Sequence, residues 1–503
     1  MRWKVIVGNI GSVLKLFGLA FLVPVIPALW YQEAPLVFGF LPATALVFLF
    51  VASFTISLGH PAQAFGRPED FYQNEAIVIV SLTWIVLALV SSLPFLITGV
   101  LTSPIDAFFE AMSGMTTTGA TVLPYPLEQH PKSLMLWRGF LQWLGGMGVI
   151  VLSVAILTKL SSGGLSLLEA ESPGPTMTRL KPKIKETAKW LWYLYGLLTL
   201  MQVLMLLGAK VSLYDAVYHS FTTMATGGFS PHTGSIGYFS STVQWIIIFF
   251  MIMAGTNFAL HYQVFRGNIR NALKNSEFRT YLAIIFGATV FITLVNVGTT
   301  IGGELPIISD IRHSLFQAVS IMTTTGYATV NFDKWPEVLR LLLLILMFIG
   351  GSAGSTGGGM KVMRVLLVFK MIKRKFKQFI NPRRVEVVRM GDSVIDEKVL
   401  DTVVMFFCGY LIIFAVGAFI MVGMGLDIVS GIAASATTIG NVGPGLGMVG
   451  PENNFRAVPL YGRLVLSLLM WIGRLEVFTA IALFSPQLYK KRKLRSILSF
   501  RKS

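Results

Sequence analysis

Four short stretches of this otherwise apolar chain combine threonine with glycine in a similar order. They are TTTGATVL at 116–123, MATGGFSP at 224–231, TTTGYATV at 323–330 and TTIGNVGP at 437–444. Glycine permits backbone dihedral angles that turn successive carbonyl oxygens to one side of the chain. Carbonyl oxygens arranged in this way replace the hydration shell of an ion in a selectivity filter. The four stretches, called the Thr-Gly turns below, therefore predict a cation site formed by backbone carbonyls.

The predicted ligands are backbone atoms because the side chains differ among the four turns. The predicted ion-binding residues are the aligned glycine of each turn and the two residues before it: Thr117, Thr118 and Gly119; Ala225, Thr226 and Gly227; Thr324, Thr325 and Gly326; and Thr438, Ile439 and Gly440. Ala225 and Ile439 interrupt an all-threonine filter, and each turn aligns on one glycine where a TVGYG loop has two. We therefore expect fewer ordered ion sites than in a potassium channel, and a weaker preference for potassium over sodium.

A helix of about half the membrane thickness is predicted before each turn. From Asp106 to Thr116 the segment extends over about 16 Å at 1.5 Å per residue, too short to cross the hydrocarbon core. The candidate N-capping residues of the four segments are Asp106, Asp215, Asp310 or Ser314, and Asp427. A helix C-terminus carries about half a negative charge, so four such ends on one axis would favour a cation. The four aspartates are expected near the outer mouth, where they would concentrate cations.

Longer apolar segments on both sides of each turn complete a unit that occurs four times. The segments before the turns cover about 76–98, 190–208, 280–298 and 399–422, and those after them about 137–158, 242–265, 338–370 and 464–485. Two further segments, at about 8–30 and 36–58, precede the first unit. We predict an all-α integral membrane protein of ten spans, in which two N-terminal helices precede four helix–pore loop–helix repeats around one central pore.

The composition supports a membrane protein and suggests how the chain is divided. Charged residues make up 13% of the chain, against about a quarter in soluble domains, and the mean hydropathy is +0.69.

The predicted boundaries are 1–74 for the two-helix N-terminal extension, 75–160, 161–266 and 267–377 for the first three pore repeats, and 378–503 for the fourth repeat with a basic C-terminal tail.

The formal charge of +17 is distributed in clusters that flank the apolar segments at alternate ends. This is the positive-inside pattern, which places both termini in the cytoplasm and lets the basic loops attract anionic lipids. The distribution argues against nucleic-acid binding. A single cysteine, Cys408, excludes a cysteine-rich metal site, and the histidines show no ligand spacing.

Two features on the predicted inner side suggest a gate. The stretch GGSAGSTGGG interrupts the apolar segment after the third turn, and its glycines are Gly350, Gly351, Gly354, Gly357, Gly358 and Gly359. Each glycine costs about 1 kcal/mol relative to alanine in a helix, so we predict an intramembrane loop at 350–359. A glycine-rich helix contact is the alternative. Arg474 lies in the last apolar segment, where an arginine costs at least about 2.5 kcal/mol, and is predicted to face the pore. The alternative is pairing with Glu476, although residues two apart do not share a helical face.

With these motifs the chain resembles the Trk/Ktr/HKT superfamily of potassium transporters, and within it the TrkH/TrkG-type subunits, over nearly its whole length. The four turns carry the resemblance together with the inner loop AESPGPTMTRLKPKIKETAKWLW at 170–192 and the two additional N-terminal spans. The resemblance implies one pore lined by the four turns, with Gly119, Gly227, Gly326 and Gly440 as the filter glycines. It further implies that the loop 350–359 acts as a gate, and it supports a pore role for Arg474.

The function implied is potassium uptake across the bacterial cytoplasmic membrane, driven by the membrane potential and open to symport with another ion. We expect the bound ion to be potassium, and we expect no nucleotide site in the chain itself. The resemblance implies a cytosolic TrkA-like regulatory subunit that binds nucleotides, and a homodimer. The basic loops at 159–189, 266–279 and 370–398 are candidate docking surfaces. The alternatives are a sodium-selective or non-selective cation transporter of the same fold, and a membrane enzyme, for which no clustered carboxylates or histidines with consistent spacing are present.

Overall fold

The computed structural model describes residues 1–57, 73–159, 184–297, 307–391 and 393–486. These residues are mostly helical, and the strands among them form one short antiparallel pair, β1 (Arg389–Met390) and β2 (Ser393–Val394). The inner loop at 170–192 lies largely outside the described residues, as do most of the basic loop 159–189 and the basic tail from 487 onward. The described part therefore contains the N-terminal helices and the four turns with their neighbouring helices.

The N-terminal helices pack on the first unit through aromatic side chains. They are α1 (Trp3–Gly18), α2 (Val25–Trp30) and α3 (Ala34–Ser57). Phe17, Phe21 and Phe40 surround the buried ring of Trp137, with centroid distances of 6.2, 4.5 and 6.1 Å. Such aromatic pairs contribute about 0.5–1.5 kcal/mol each beyond the area that they bury. The N-terminal extension is thus attached to the helix that follows the first turn.

Each Thr-Gly turn follows a short helix, and each short helix follows a longer one. The helices before the short ones are α4 (Gln73–Ser91) with α5 (Leu93–Ile97), α8 (Ile184–Gly208), α13 (Ser276–Val297) and α17 (Glu397–Gly423); the short helices are α6 (Pro104–Met115), α9 (Leu213–Met224), α14 (Ile307–Met322) and α18 (Ile428–Gly440). The bounds agree with the predicted segments to within a few residues, because the hydrophobic runs and their polar ends determine where helices can start and stop.

The helices after the turns are less regular than predicted. They are α7 (Lys132–Lys159); α10 (Ser241–Ala254) and α11 (Phe258–Phe265), followed by α12 (Ile269–Lys274); α15 (Glu337–Ile349) and α16 (Val362–Ile380); and α19 (Leu460–Arg474) with α20 (Phe478–Ala482). The predicted continuous segment 242–265 is bent by 99° between α10 and α11. The break contains Gly255 and Asn257, whose side-chain oxygen accepts the Ala259 N–H and so caps α11.

The number of membrane spans depends on how these breaks are treated. Within the described ranges, five helical segments are long and apolar enough to cross a membrane, and a sixth is obtained if the bent pair α10 and α11 is one span. Two of the ten predicted spans, 338–370 and 464–485, are divided in the structure at Gly350 and after Arg474. The structure thus supports a multi-pass membrane protein, and the total of ten spans stays a prediction.

The N-caps of α6 and α9 differ from those predicted, whereas the N-cap of α18 agrees with the prediction. Ser103 and Ser212 are the N-caps of α6 and α9, and their hydroxyls accept the N–H groups of Asp106 and Asp215 in the first turn. Asp427 caps α18 as predicted, accepting the Ser430 N–H at 3.0 Å. Asp310 lies in the first turn of α14 and is buried. The prediction was wrong for Asp106 and Asp215 because an acid is favourable both at the cap and in the first turn, so composition alone does not separate the two positions.

Candidate functional site

The four turns share one backbone conformation. Each contains a residue with positive φ where the helix ends, namely Thr117 (53°), Thr226 (53°), Thr324 (59°) and Asn441 (54°). Two residues later each has a glycine with positive φ, namely Gly119 (83°), Gly228 (72°), Gly326 (82°) and Gly443 (103°). Positive φ is strained for residues with a Cβ, so its occurrence at the same two positions in all four units defines their structural alignment.

This alignment changes the register predicted for two of the units. In unit 1 and unit 3 it agrees with the prediction. In unit 2 the alignment is shifted by one residue toward the C-terminus. Ala225 is the C-cap of α9, in the αR conformation, and the glycine with positive φ is Gly228. In unit 4 it moves by three, since Thr438, Ile439 and Gly440 all lie in α18. The corresponding residues there are Asn441, Val442 and Gly443, because α18 continues through TTIG and asparagine tolerates the left-handed region.

The turns meet in a closed ring. A Cβ atom added to Gly119 would lie 2.2 Å from the Gly227 carbonyl oxygen, and one on Gly228 would lie 1.8 Å from the Thr325 oxygen. A Cβ on Gly326 would lie 1.9 Å from the Val442 oxygen, and one on Gly443 would lie 2.6 Å from the Thr118 oxygen. Each glycine therefore contacts a carbonyl of the next unit, and the fourth unit returns to the first. We call these four glycines and the carbonyls of Thr118, Gly227, Thr325 and Val442 the carbonyl ring.

Hydroxyl and amide groups orient the ring backbone. In unit 1 the hydroxyls of Thr116 and Thr118 lie 2.8 Å apart, and in unit 3 those of Thr323 and Thr325 lie 2.7 Å apart. In unit 4 the Asn441 amide donates to the Thr118 hydroxyl at 3.0 Å, linking the fourth turn to the first. All of these side chains are fully buried, so the bonds are not weakened by competition with water.

A buried ion pair between Arg138 and Glu110 stabilises the first turn through hydrogen bonds to the residues that follow Gly119. Arg138 Nε donates to Glu110 Oε1 at 2.7 Å, and the two side chains are 1% and 0% exposed. Glu110 also accepts the Val122 N–H at 2.9 Å and the Thr121 hydroxyl at 3.0 Å. At the corresponding position His219 lies 3.2 Å from the Ser230 hydroxyl in unit 2, and Gln317 donates to Thr329 at 3.3 Å in unit 3. These buried polar contacts were not predicted from the sequence, although an arginine in the apolar segment LMLWRGF indicates a buried polar partner.

Side chains that follow the ring glycines pack against the preceding unit. The Tyr327 hydroxyl of unit 3 contacts the Thr222 hydroxyl of unit 2 and is fully buried. The Phe229 ring of unit 2 lies 3.9 Å from the Arg138 guanidinium of unit 1, a favourable cation–π distance. These contacts join units that are distant in sequence, so they stabilise the ring as a whole.

Above the ring lies a cavity of about 70 Å³ that is lined by residues of all four turns, including Gly119, Gly228, Gly326 and Pro444. The four aspartates predicted at the mouth are not among its lining residues in the described part of the chain. Asp106 instead pairs with Arg463, and Asp215 lies 2.9 Å from His232 Nε2. Asp106 and Asp215 are thus held by basic side chains outside their own helices, and Asp427 is held by the first turn of α18.

The interruption predicted at 350–359 is present and lies directly below the turns. Gly358 N–H donates to the Thr324 hydroxyl at 2.6 Å, Gly359 N–H donates to the Gly440 oxygen at 3.0 Å, and the Thr356 hydroxyl donates to the Met224 oxygen at 3.0 Å. The loop thus bonds to the C-terminal ends of three short helices, those of units 2, 3 and 4. Non-helical backbone within the membrane requires hydrogen-bond partners from the protein, because the hydrocarbon core supplies no water.

Glycine is needed in the loop for conformation and for space. Gly350, Gly354 and Gly359 have φ of 78°, 70° and 70°. A Cβ on Gly357 would lie 2.9 Å from the Thr323 oxygen, and one on Gly358 would lie 2.2 Å from the Gly440 oxygen. Gly351 packs on the break of unit 2, where a Cβ would lie 3.2 Å from the Gly255 oxygen. The glycine content therefore reflects close packing of the loop beneath the ring.

Arg474 contacts this loop. Its side chain is 5% exposed, and Nη1 donates to the Thr356 carbonyl oxygen at 2.8 Å. Its Nε and Nη2 atoms are buried and have no hydrogen-bond partner in the described part of the chain. The alternative pairing with Glu476 is not among the ion pairs of the described residues, and Glu476 instead accepts from Arg364 at 2.7 Å. Arg474 thus places a positive charge next to the loop, and its Nε and Nη2 donors remain without an acceptor among the described residues.

Two further charged residues hold the loop and were not identified from the sequence. Lys361 has a φ of 77°, is buried, and its Nζ donates to the Gly357 carbonyl oxygen. Glu277, at the start of α13, accepts the Ala353 N–H at 2.7 Å and is 1% exposed. Both lie at positively charged or polar ends of apolar segments, where charge is common, so nothing in the sequence set them apart.

The described fold is that of a helical, multi-pass membrane protein with a carbonyl ring and a loop beneath it. The family model of TrkH, described as a cation transport protein, matches residues 43–492. The chain belongs to this family, as the resemblance predicted, and is a transport protein rather than an enzyme.

Individual relatives match over nearly the full length. The chain is 38% identical to the Trk system potassium uptake protein TrkH of Escherichia coli K12, over 98% of this chain and 100% of that protein. It is 32% identical to TrkG of the same strain, over 96% and 98%. The crystal structure of the potassium transporter TrkH from Vibrio parahaemolyticus superimposes with a TM-score of 0.86 at 36% identity, covering 97% of this chain and 100% of that one.

Proposed function

We propose that this protein takes up potassium across the cytoplasmic membrane of a bacterium through a single pore formed by four repeats. The observation that carries the proposal is the closed ring in which each of four glycines contacts a carbonyl of the next unit. Backbone carbonyls presented in this way select a cation by their number and field strength. The relatives named as potassium uptake proteins favour potassium as the ion.

The ligands of the ion are the carbonyls of the ring and of the residues that precede it in each turn. In this proposal Thr117, Thr118 and Gly119 and the corresponding residues of unit 3 keep their predicted role. In unit 2 the role extends to Gly228, and in unit 4 it passes to Asn441, Val442 and Gly443. The C-terminal ends of the four short helices add negative potential below the ring.

The loop 350–359 acts as the gate, because it lies across the ends of three short helices directly below the ring. Opening requires these hydrogen bonds to break or rearrange. We further propose a cytosolic nucleotide-binding partner that controls the gate from the inner side, a homodimeric assembly, and cytoplasmic placement of both termini. A partner subunit is consistent with the name "Trk system" borne by the relatives.

The function is tested by the reversal potential of purified protein in proteoliposomes with opposed potassium and sodium gradients. We expect a potential close to that for potassium, and restored growth of a potassium-uptake-deficient bacterium at low potassium. A reversal potential close to that for sodium would support the alternative of a sodium transporter. The absence of any cation flux from folded protein would rule out both.

Replacing Arg474 tests the proposed gate. Arg474→Met is expected to raise potassium flux about tenfold, because about 1.4 kcal/mol of lost repulsion corresponds to a factor of ten in rate. Arg474→Lys keeps the charge and should leave the flux low. The measurement is ⁸⁶Rb⁺ uptake into proteoliposomes with equal amounts of protein. Unchanged flux in Arg474→Met would show that this charge is not part of the barrier.

A further inference from the structure

The second turn lacks the hydroxyl pair that orients the ring in two other units. Units 1 and 3 use Thr116 with Thr118 and Thr323 with Thr325. The corresponding residues in unit 2 are Ala225 and Gly227, and neither has a hydroxyl group. Gly227 is also followed by Gly228, and adjacent glycines have the greatest backbone freedom to lose on folding. The second turn therefore needs a different source of order.

That source is Gln142, which comes from α7 of the first unit. Its Nε2 atom donates to the Gly227 carbonyl oxygen at 2.6 Å, and its Oε1 atom accepts the Phe229 N–H at 3.2 Å. The side chain is fully buried. The side-chain amide of Gln142 thus bonds to the backbone on both sides of Gly228.

Gln142 also occupies the space of the side chain that unit 2 lacks. A Cβ on Gly227 would lie 2.3 Å from Gln142 Cδ and 2.5 Å from Oε1, and its three nearest neighbours all belong to Gln142. Gly227 does not have positive φ, so its backbone accepts a side chain once this space is free. Gln142 therefore fills the space that a threonine side chain at position 227 would occupy, and it orders the backbone that the hydroxyl pair orders in units 1 and 3.

We propose that Gln142 is a positioning residue that sets the direction and field of the Gly227 carbonyl, and thereby contributes to the preference for potassium over sodium. This rests on the proposed function of the ring. The Gly227 carbonyl accepts a hydrogen bond from the Gln142 amide, so it is less free to reorient toward a smaller ion. Potassium selectivity is ascribed to the size of the carbonyl site or to the number and field strength of its carbonyls, and a hydrogen bond to the Gly227 carbonyl affects both size and field strength.

The test compares Gln142→Leu with Gln202→Leu in reversal-potential measurements on proteoliposomes. Gln202 is a second fully buried glutamine whose amide atoms have no partner within the described residues, so its replacement controls for the loss of a buried amide. We expect the potassium-to-sodium permeability ratio to fall about tenfold in Gln142→Leu, the equivalent of about 1.4 kcal/mol, and to stay at the wild-type value in Gln202→Leu.

A second variant tests whether the hydroxyl pair can take the place of Gln142. Gln142→Ala/Gly227→Thr/Ala225→Thr gives unit 2 the hydroxyl pair of units 1 and 3, and is expected to restore the ratio that Gln142→Ala loses. A wild-type ratio in folded Gln142→Leu, or no recovery in the folded triple variant, would overturn the proposal. A wild-type protein without any preference for potassium would instead contradict the proposed function itself.

Discussion

Gly326→Ser is expected to abolish the preference for potassium and to lower potassium flux at least about tenfold. Gly326 has a φ of 82°, and a side chain there costs about 1–3 kcal/mol. A Cβ would also lie 1.9 Å from the Val442 oxygen and 2.8 Å from Pro444 Cδ, so the fourth turn must move. Each 1.4 kcal/mol of strain on the conducting geometry corresponds to roughly a factor of ten. Reversal potentials and ⁸⁶Rb⁺ uptake measure the two effects.

Gly99→Ser is the matched control for backbone strain. Gly99 has a φ of 72°, and nothing lies within 4 Å of a Cβ placed there. Its substitution introduces the same kind of strain outside the ring, so we expect lower stability but wild-type selectivity. If Gly326→Ser retained wild-type selectivity while folding normally, Gly326 would not belong to the ion-binding ring.

Arg138→Met is expected to lower the free energy of unfolding by about 3–5 kcal/mol, because removing one partner of a buried ion pair leaves an uncompensated charge. That charge would be Glu110, which is 0% exposed. The loss should appear as a lower midpoint in thermal denaturation of the detergent-solubilised protein. It should also disorder the first turn, since Arg138 bonds to Thr121 at 3.1 Å and Glu110 bonds to the Val122 N–H.

Two comparisons make the ion-pair prediction specific. The double variant Glu110→Met/Arg138→Met removes both charges and should be more stable than Arg138→Met alone. Lys334→Met removes one partner of a surface pair whose side chains are 72% and 62% exposed, and should change stability by less than about 1 kcal/mol. A double variant less stable than the single one would show that the pair is not the source of the effect.

Local features of the structure were predictable from the sequence because they depend on neighbouring residues. The short helices end near the predicted turns, since the polar, glycine-containing stretches do not continue an apolar helix. The break at 350–359 follows from six glycines in one stretch, each unfavourable in a helix. Arg474 could be singled out because an arginine in an apolar segment is unusual, and its side chain is buried, whereas its orientation toward the pore stays a prediction.

The register of the ring was not predictable in the same way. In TTIGNVGP the first glycine resembles those of the other turns, yet Gly440 ends a helix and Gly443 enters the ring. In MATGGFSP the glycine that has positive φ and contacts a carbonyl of the next unit is Gly228, and not Gly227 as predicted. Both stretches have two glycines, and local composition is compatible with either one at the position that requires positive φ.

The sequence alone therefore determined that this is a membrane protein with four glycine-containing turns, each after a short helix, and an interrupted helix beneath them. The tertiary structure decided which glycine faces which carbonyl, that Gln142 bonds to the backbone of the second turn, and that Arg474 bonds to Thr356 while Glu476 bonds to Arg364. The physical reason is that the ends of apolar helices, and the low tendency of glycine-rich stretches to form helix, depend on adjacent residues. Ring closure and buried polar pairing instead depend on residues that are often more than a hundred positions apart and meet only once all four units have packed together.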